Sequence, residues 1–423
     1  MVSWFNFRKA GIRLKSSPWN LTAALMMVIV APALSYYLGI ASSHTAGTAL
    51  AAITVLVGGA LFASTRGLPI YVYQCVVAVL AFSVAHALLV LAIGPFDMAR
   101  AFPSLVVLCT VIVAAGFIAN ITVGLHDRDV LRAVNVVFFF LLVVGILGAM
   151  GIVQPFADGR EKTVFPFTEP AAYALTFTPF LIFKCAMSRP RWRLAYLLVA
   201  VLVAIILQNL TLLVTCLLVI GLCYRLRYGA ILAAFGLVAV WATDIDYYAD
   251  RLNLADDTRN LSALVYLQGW EIISNALTTG DSIGVGFQQL GLAGQMSDAS
   301  ELIYRLTGDS LNTFDGSFMT AKIIGEFGVF GIIPLFFLSA MIVKSSRQIR
   351  RIAVGGEPAS NARALGLSLV AAYVCDVFLR TAGYLTATCF LLTTGLVINH
   401  LLSRRVSAKP MTAYIASKHE TAD

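Results

Sequence analysis

Two groups of charged residues stand out in a chain otherwise poor in charge. Arg160, Lys162 and Glu169 share a short Pro-rich stretch, QPFADGREKTVFPFTEP, within residues 153–170. Arg251, Arg259, Arg305 and Asp315 fall in a longer one, residues 244–317. Guanidinium forks are permanently charged and grip phosphate oxygens two at a time, so this spacing suits capture of a diphosphate. A carboxylate beside them, Glu169 or Asp315, could orient or deprotonate a hydroxyl. Two further charge pairs, Lys322 with Glu326 and Asp376 with Arg380, sit four residues apart inside apolar stretches. That spacing predicts ion pairing within each. The five histidines (His44, His86, His126, His400 and His419) all lie outside the two long stretches. An imidazole or a zinc ion is therefore not expected there. All seven cysteines fall in apolar segments without metal-ligand spacing, so no metal, cofactor or disulfide is expected.

The elements that must position these groups follow from composition. Of 423 residues, 59 % are hydrophobic and 12 % charged, with a net charge of +8. The charged share is about half that of soluble domains, and mean hydropathy is +0.84. Such a chain cannot cover itself with a water-facing surface. A cytosolic enzyme, a secreted disulfide scaffold and a disordered protein are excluded together. Spans of ~20 residues cross a bilayer, and twelve are expected: 20–40, 45–63, 70–93, 103–124, 131–152, 171–187, 193–208, 210–224, 229–243, 318–343, 362–380 and 384–402. The first reads as an uncleaved anchor, because eleven more follow.

Twelve crossings put both termini on one side, and every short loop on that side carries Arg or Lys. That is the positive-inside pattern, so the termini are expected in the cytoplasm and residues 153–170 and 244–317 outside. The basic excess is a topology signal and gives no reason to expect nucleic acid. Residues 1–423 read as one all-α integral membrane domain with a large helical insertion at 244–317. That insertion is too long for a connector and too apolar for disorder. A helix is predicted from Asn260 to Leu277, closed by Gly280, and a shorter one from Asp298 to Leu306, stopped by Gly308. Between them GDSIGVGFQQLG reads as a tight turn that lets the backbone approach lipid or sugar. Its G-x-G lacks the preceding strand that a nucleotide loop requires.

About twelve spans with one large external loop late in the sequence resembles the Wzy-type polysaccharide polymerases and the related O-antigen ligases. The local likeness runs through NLSALVYLQGWEIISNALTTGDSIGVGFQQLG (260–291), DGSFMTAKIIGEFGVFGIIPL (315–335) and the E-P-S-like FTEPAAYA around Glu169. The resemblance implies a GT-C-like fold in the bacterial inner membrane with a periplasmic site. It implies metal-independent glycosyl transfer, with undecaprenyl-diphosphate-linked oligosaccharides as donor and acceptor, into O-antigen, capsule or exopolysaccharide. A chain-length copolymerase and a flippase would be partners. Arg160, Lys162, Arg251, Arg259, Arg305, Lys322, Arg380 and Trp270 would then contact diphosphate or glycan, with Glu169 and Asp315 catalytic. There are departures. Tyr266 stands where many relatives carry arginine, and Ala171 replaces the E-P-S serine. The stretch SLNTFDGSF has Asn312 and Asp315 where ligases carry histidine, which favours polymerase over ligase. A transporter or flippase fits the span count equally, but the internal repeat expected of that class is not found. A cell-wall glycan polymerase is a further alternative.

Overall fold

The structure, a computed structural model, describes residues 17–62, 68–152, 164–167, 169–234, 260–278, 282–292, 297–308, 313–381 and 383–420. Among these the regular structure is helical, with one isolated antiparallel bridge between Val164 and Phe167. The helices are α1 (Pro18–Tyr37), α2 (His44–Phe62), α3 (Ile70–Leu91), α4 (Met98–Gly124), α5 (Asp127–Ala149), α6 (Pro170–Met187), α7 (Pro190–Ile206) and α8 (Leu210–Cys223). After the charged insertion's α9 (Leu261–Thr278) and α10 (Asp298–Thr307) come α11 (Met319–Phe327), α12 (Ile332–Gly355), α13 (Asn361–Ala372), α14 (Val374–Phe378) and α15 (Ala387–Glu420).

Among the described residues, seven helical units are long and apolar enough to cross a membrane: α1, α3, α4, α5, α6, the α11–α12 unit and the α13–α14 unit. Two shorter apolar helices, α2 over His44–Gly59 and α8, accompany them. The chain is a polytopic membrane protein. The expected span 193–208 corresponds to α7, which begins on the basic run Arg189, Arg191 and Arg193. Most of the expected span 229–243 lies outside the described residues.

Local chemistry fixes where helices begin. Pro18, Pro170 and Pro190 take first-turn positions, where a missing N–H costs nothing. The side chains of Ser17, Asp97, Asn209, Ser297 and Ser360 accept N–H bonds at other starts. In lipid, helices gain little by hiding apolar surface from one another, so close packing and hydrogen bonds hold the bundle. Gly47 lets α2 lie directly on Pro32 and Ser35 of α1. Thr178 of α6 meets Thr215 of α8 at 3.0 Å. α6 and α13 are buried on nearly every side and form the axis of the core. α3 turns Val77, Val84 and Leu88 outward, as a lipid-facing helix does.

α6 also defines two ends. Beyond its C-terminus, Arg193 donates to Cys223 O at 2.5 Å, Ala353 O at 3.1 Å and Ser188 O at 3.3 Å. Nearby starts Asn361 and Asp127 are joined by an Asn361 N–H donated to Asp127 Oδ1 at 2.6 Å. Before its N-terminus stands Glu169, with Asn209 Nδ2 donating to Pro170 O at 2.6 Å. The helix length, about 27 Å at 1.5 Å per residue, separates them.

Candidate functional site

At the Glu169 end, side chains from several elements come together. Glu169 sits just before Pro170, in extended conformation, and receives Arg380 Nη2 at 2.6 Å. Arg380 was expected to pair with Asp376, four residues earlier. The i,i+4 rule needs an unbroken helix, and here it does not apply: α13 gives way to α14 at Tyr373, and α14 ends at Phe378. Asp376 is 2 % exposed and takes hydroxyls instead, from Thr388 at 2.6 Å and Thr381 at 3.5 Å. The freed guanidinium reaches across to α6.

The second expected pair does form. On continuous α11, Lys322 Nζ lies 3.0 Å from Glu326 Oε1, with both side chains out of contact with solvent. Lys322 also donates to Phe314 O at 2.8 Å and lies 5.4 Å from the centroid of the Tyr384 ring. The turn carrying Asp315 is thereby fastened to α11. Gly316 makes this possible: its φ is +73°, and a Cβ there would lie 2.9 Å from Lys322 N and Cα. Ser317 is held at φ 67°, a costly conformation for a non-glycine residue. Its hydroxyl donates to Gln268 Oε1 at 3.2 Å, and its carbonyl accepts Thr381 N–H at 3.0 Å. Insertion, turn and broken helix thus share one set of bonds.

Arg100, at the start of α4, lays its guanidinium 4.4 Å over the Phe314 ring. Burial pushes the Asp315 carboxyl above the usual carboxylate range; Lys322, Arg100 and His44 pull it back, and burial wins. A cavity of about 160 Å³ opens beside these groups, lined by His44, Thr48, Glu169, Thr176, Asp376, Arg380, Thr381, Thr386 and Thr388 among others. Its polar lining combines one guanidinium, two carboxylates, an imidazole and several hydroxyls. Such a set can bind an anion and hydroxyl groups together, and can move a proton.

Of the residues singled out from sequence, Glu169, Asp315, Lys322 and Arg380 are brought together here. Arg305 is not: it pairs with Glu301 at 2.5 Å on the exposed face of α10. Trp270 stacks near Tyr266 and Phe318, at 6.2 Å and 5.5 Å between centroids, and so supports the Asp315 turn without lining the cavity. Arg160, Lys162, Arg251 and Arg259 lie outside the described residues. The sequence reading passed over His44 and Arg100, which lie in the first turns of α2 and α4 just after short loops. Their signal was position at a helix start on the side where the long loops emerge.

The glycine-rich turn has a different neighbour from the one expected. Gly284, at φ +83°, is pressed against the chain's own backbone, where a Cβ would fall 2.5 Å from Glu326 O and Gly328 N. Val285 N and Gly286 N donate to Gly325 O at 3.1 Å and Glu326 O at 2.8 Å. The other side of the turn borders a second, larger cavity of about 700 Å³, together with Phe96, Asp97, Ile272 and Asn275. No group of three or more His, Cys, Asp or Glu among the described residues is arranged to hold a metal. No protein-family model, curated protein or solved structure matches the chain.

Proposed function

We propose that this chain is a membrane glycosyltransferase that polymerises lipid-linked oligosaccharides, with a polyprenyl diphosphate as leaving group. The observation that carries the reading is the Arg380–Glu169 pair on a hydroxyl-rich cavity at one end of an apolar bundle, with Asp315 and the buried Lys322–Glu326 pair on the neighbouring turn and α11. Displacing a diphosphate from an anomeric carbon requires stabilisation of a leaving anion, which arginine supplies electrostatically. Arg380 is suited to this because its present partner, Glu169, is itself half exposed and can be exchanged. Arg160, Lys162, Arg251 and Arg259, on the two charged loops, would complete the clamp. Glu169 and Asp315 would orient the acceptor hydroxyl.

In this reading the twelve-crossing topology holds, the Arg193 end faces the cytoplasm and the cavity opens to the periplasm. The resemblance to Wzy-type polymerases supplies the substrate, an undecaprenyl-diphosphate-linked repeat unit. Purified protein should convert that substrate into a ladder of longer glycans without nucleotide sugar. Transfer of finished polymer to lipid A-core, with no ladder, would make it a ligase instead. The interrupted α13–α14 helix with its buried Asp376 also suits a transporter. Movement of lipid-linked glycan across proteoliposomes with no new glycosidic bond would decide for that reading.

A further inference from the structure

The polymerase reading leaves open where the acceptor's proton goes. Glu169 already spends a carboxylate oxygen on the guanidinium of Arg380, at 2.6 Å. Asp315 is fastened by its turn and faces two cations, Lys322 and Arg100. Two further titratable side chains line the cavity beside Glu169: Asp376, whose carboxylate is taken up by the hydroxyls of Thr381 and Thr388, and His44. His44 opens α2, with its ring 4.5 Å from that of Tyr36 at the end of α1. It is partly buried, between Thr48 and the mouth of the cavity.

The charges near His44 come from several elements. Glu169 precedes α6, Asp315 lies on the 313–316 turn, and Asp376 and Arg380 flank the break before α15. Burial holds the imidazole below its ordinary value, and the charges of Glu169 and Asp315 offset part of that. An imidazole kept neutral by burial can accept a proton, and the two nearby carboxylates offset part of the cost of the imidazolium.

We propose that His44 is the catalytic proton acceptor of the transfer, an inference that rests on the polymerase reading. The acceptor sugar's O–H bond breaks as its oxygen bonds to the donor's anomeric carbon. The bond from that carbon to the diphosphate oxygen breaks, and its electron pair leaves with the diphosphate. The hydroxyl proton passes to the imidazole and from there to water at the mouth. Asp315 and Glu169 act by positioning the ring and sharing its charge, so no metal or further reactant is required.

The test uses full-length purified protein and lipid-linked repeat unit, with turnover measured against pH. For wild type, kcat/KM should rise with pH through a limb below the ordinary imidazole value of ~6.5, the side to which burial moves His44. His44→Gln should lower turnover by about 10²-fold, the usual worth of a general base, and lose that limb. His44→Ala should regain turnover on addition of free imidazole, which a merely structural histidine would not allow. Rates are taken per folded, membrane-extracted molecule, and the Gln variant keeps a polar side chain should the Ala variant fold poorly. If wild type polymerises and His44→Gln matches it at every pH, the assignment to His44 is wrong while the polymerase reading stands. If wild type makes no polymer, the reading itself fails and this inference with it.

Discussion

Arg193 and Arg380 stand at opposite ends of α6 and show two uses of one side chain. Arg193 is 9 % exposed and spends its guanidinium on three backbone carbonyls, at Cys223, Ser188 and Ala353. Those carbonyls lie at the negative ends of helices, where a cation is favoured. Arg350 joins it by donating to Gly221 O. Arg380 donates to one carboxylate among the described residues, Glu169 on the same cavity, and a ligand anion could replace that partner. The difference separates a cation that closes a structure from one that remains exchangeable. Burial and partner type, more than the residue itself, decide which is which.

The comparison can be broken most severely at Lys322, a buried cation on the side of the bundle where Arg380 stands. Lys322→Met should cost about 3–5 kcal/mol, because it strands the buried Glu326 carboxylate, read as a lower unfolding midpoint in detergent. Adding Glu326→Leu should recover most of that stability without recovering polymer synthesis; full recovery of both would make Lys322 purely structural. Arg380→Gln should leave the unfolding midpoint almost untouched and reduce turnover by ~10²–10³, as loss of an anion-stabilising donor does. Arg193→Met should do the reverse, costing about 2–3 kcal/mol of stability through lost charge-assisted bonds while each folded molecule stays active. Equal behaviour of the two arginine variants in both assays would dissolve the distinction.

The smallest effect concerns pH. The Asp315 carboxyl is raised in the folded protein. The fold therefore favours its protonated form, and that contribution is complete below the ordinary Asp value of ~3.9 and is lost as pH rises through the raised value. Wild type should lose stability across that window relative to Asp315→Asn, which has nothing to titrate there. Parallel unfolding curves for the two proteins would contradict this.

Much of the bundle was readable from the sequence, because a run of apolar residues must lie in lipid whatever its neighbours do. The Lys322–Glu326 pair was readable for the same local reason: both residues lie on one helical stretch. Asp376–Arg380 was misread because hydropathy does not report a helix that stops at Phe378 inside an apolar segment. His44 escaped notice because loop length was used as the guide to function. A short loop contributes to a site through where its helix begins, and that depends on packing between α1, α2 and α6. The glycine turn was recognised as tight, but its partner, the Glu326–Gly328 backbone, lies some forty residues on in the chain.

That partnership has a mechanical consequence. The 282–292 segment is stitched to the bundle by Gln289, which donates to and accepts from the backbone of Asp97, and by His86 Nε2 on Ile283 O. Three backbone bonds, from Val285, Gly286 and Val329, complete the seam along α11. At ~0.5–1.5 kcal/mol each, the six together resist opening by about 3–9 kcal/mol. The segment is a fixed wall, so swinging it aside would amount to partial unfolding. Whatever enters or leaves must do so with that wall standing.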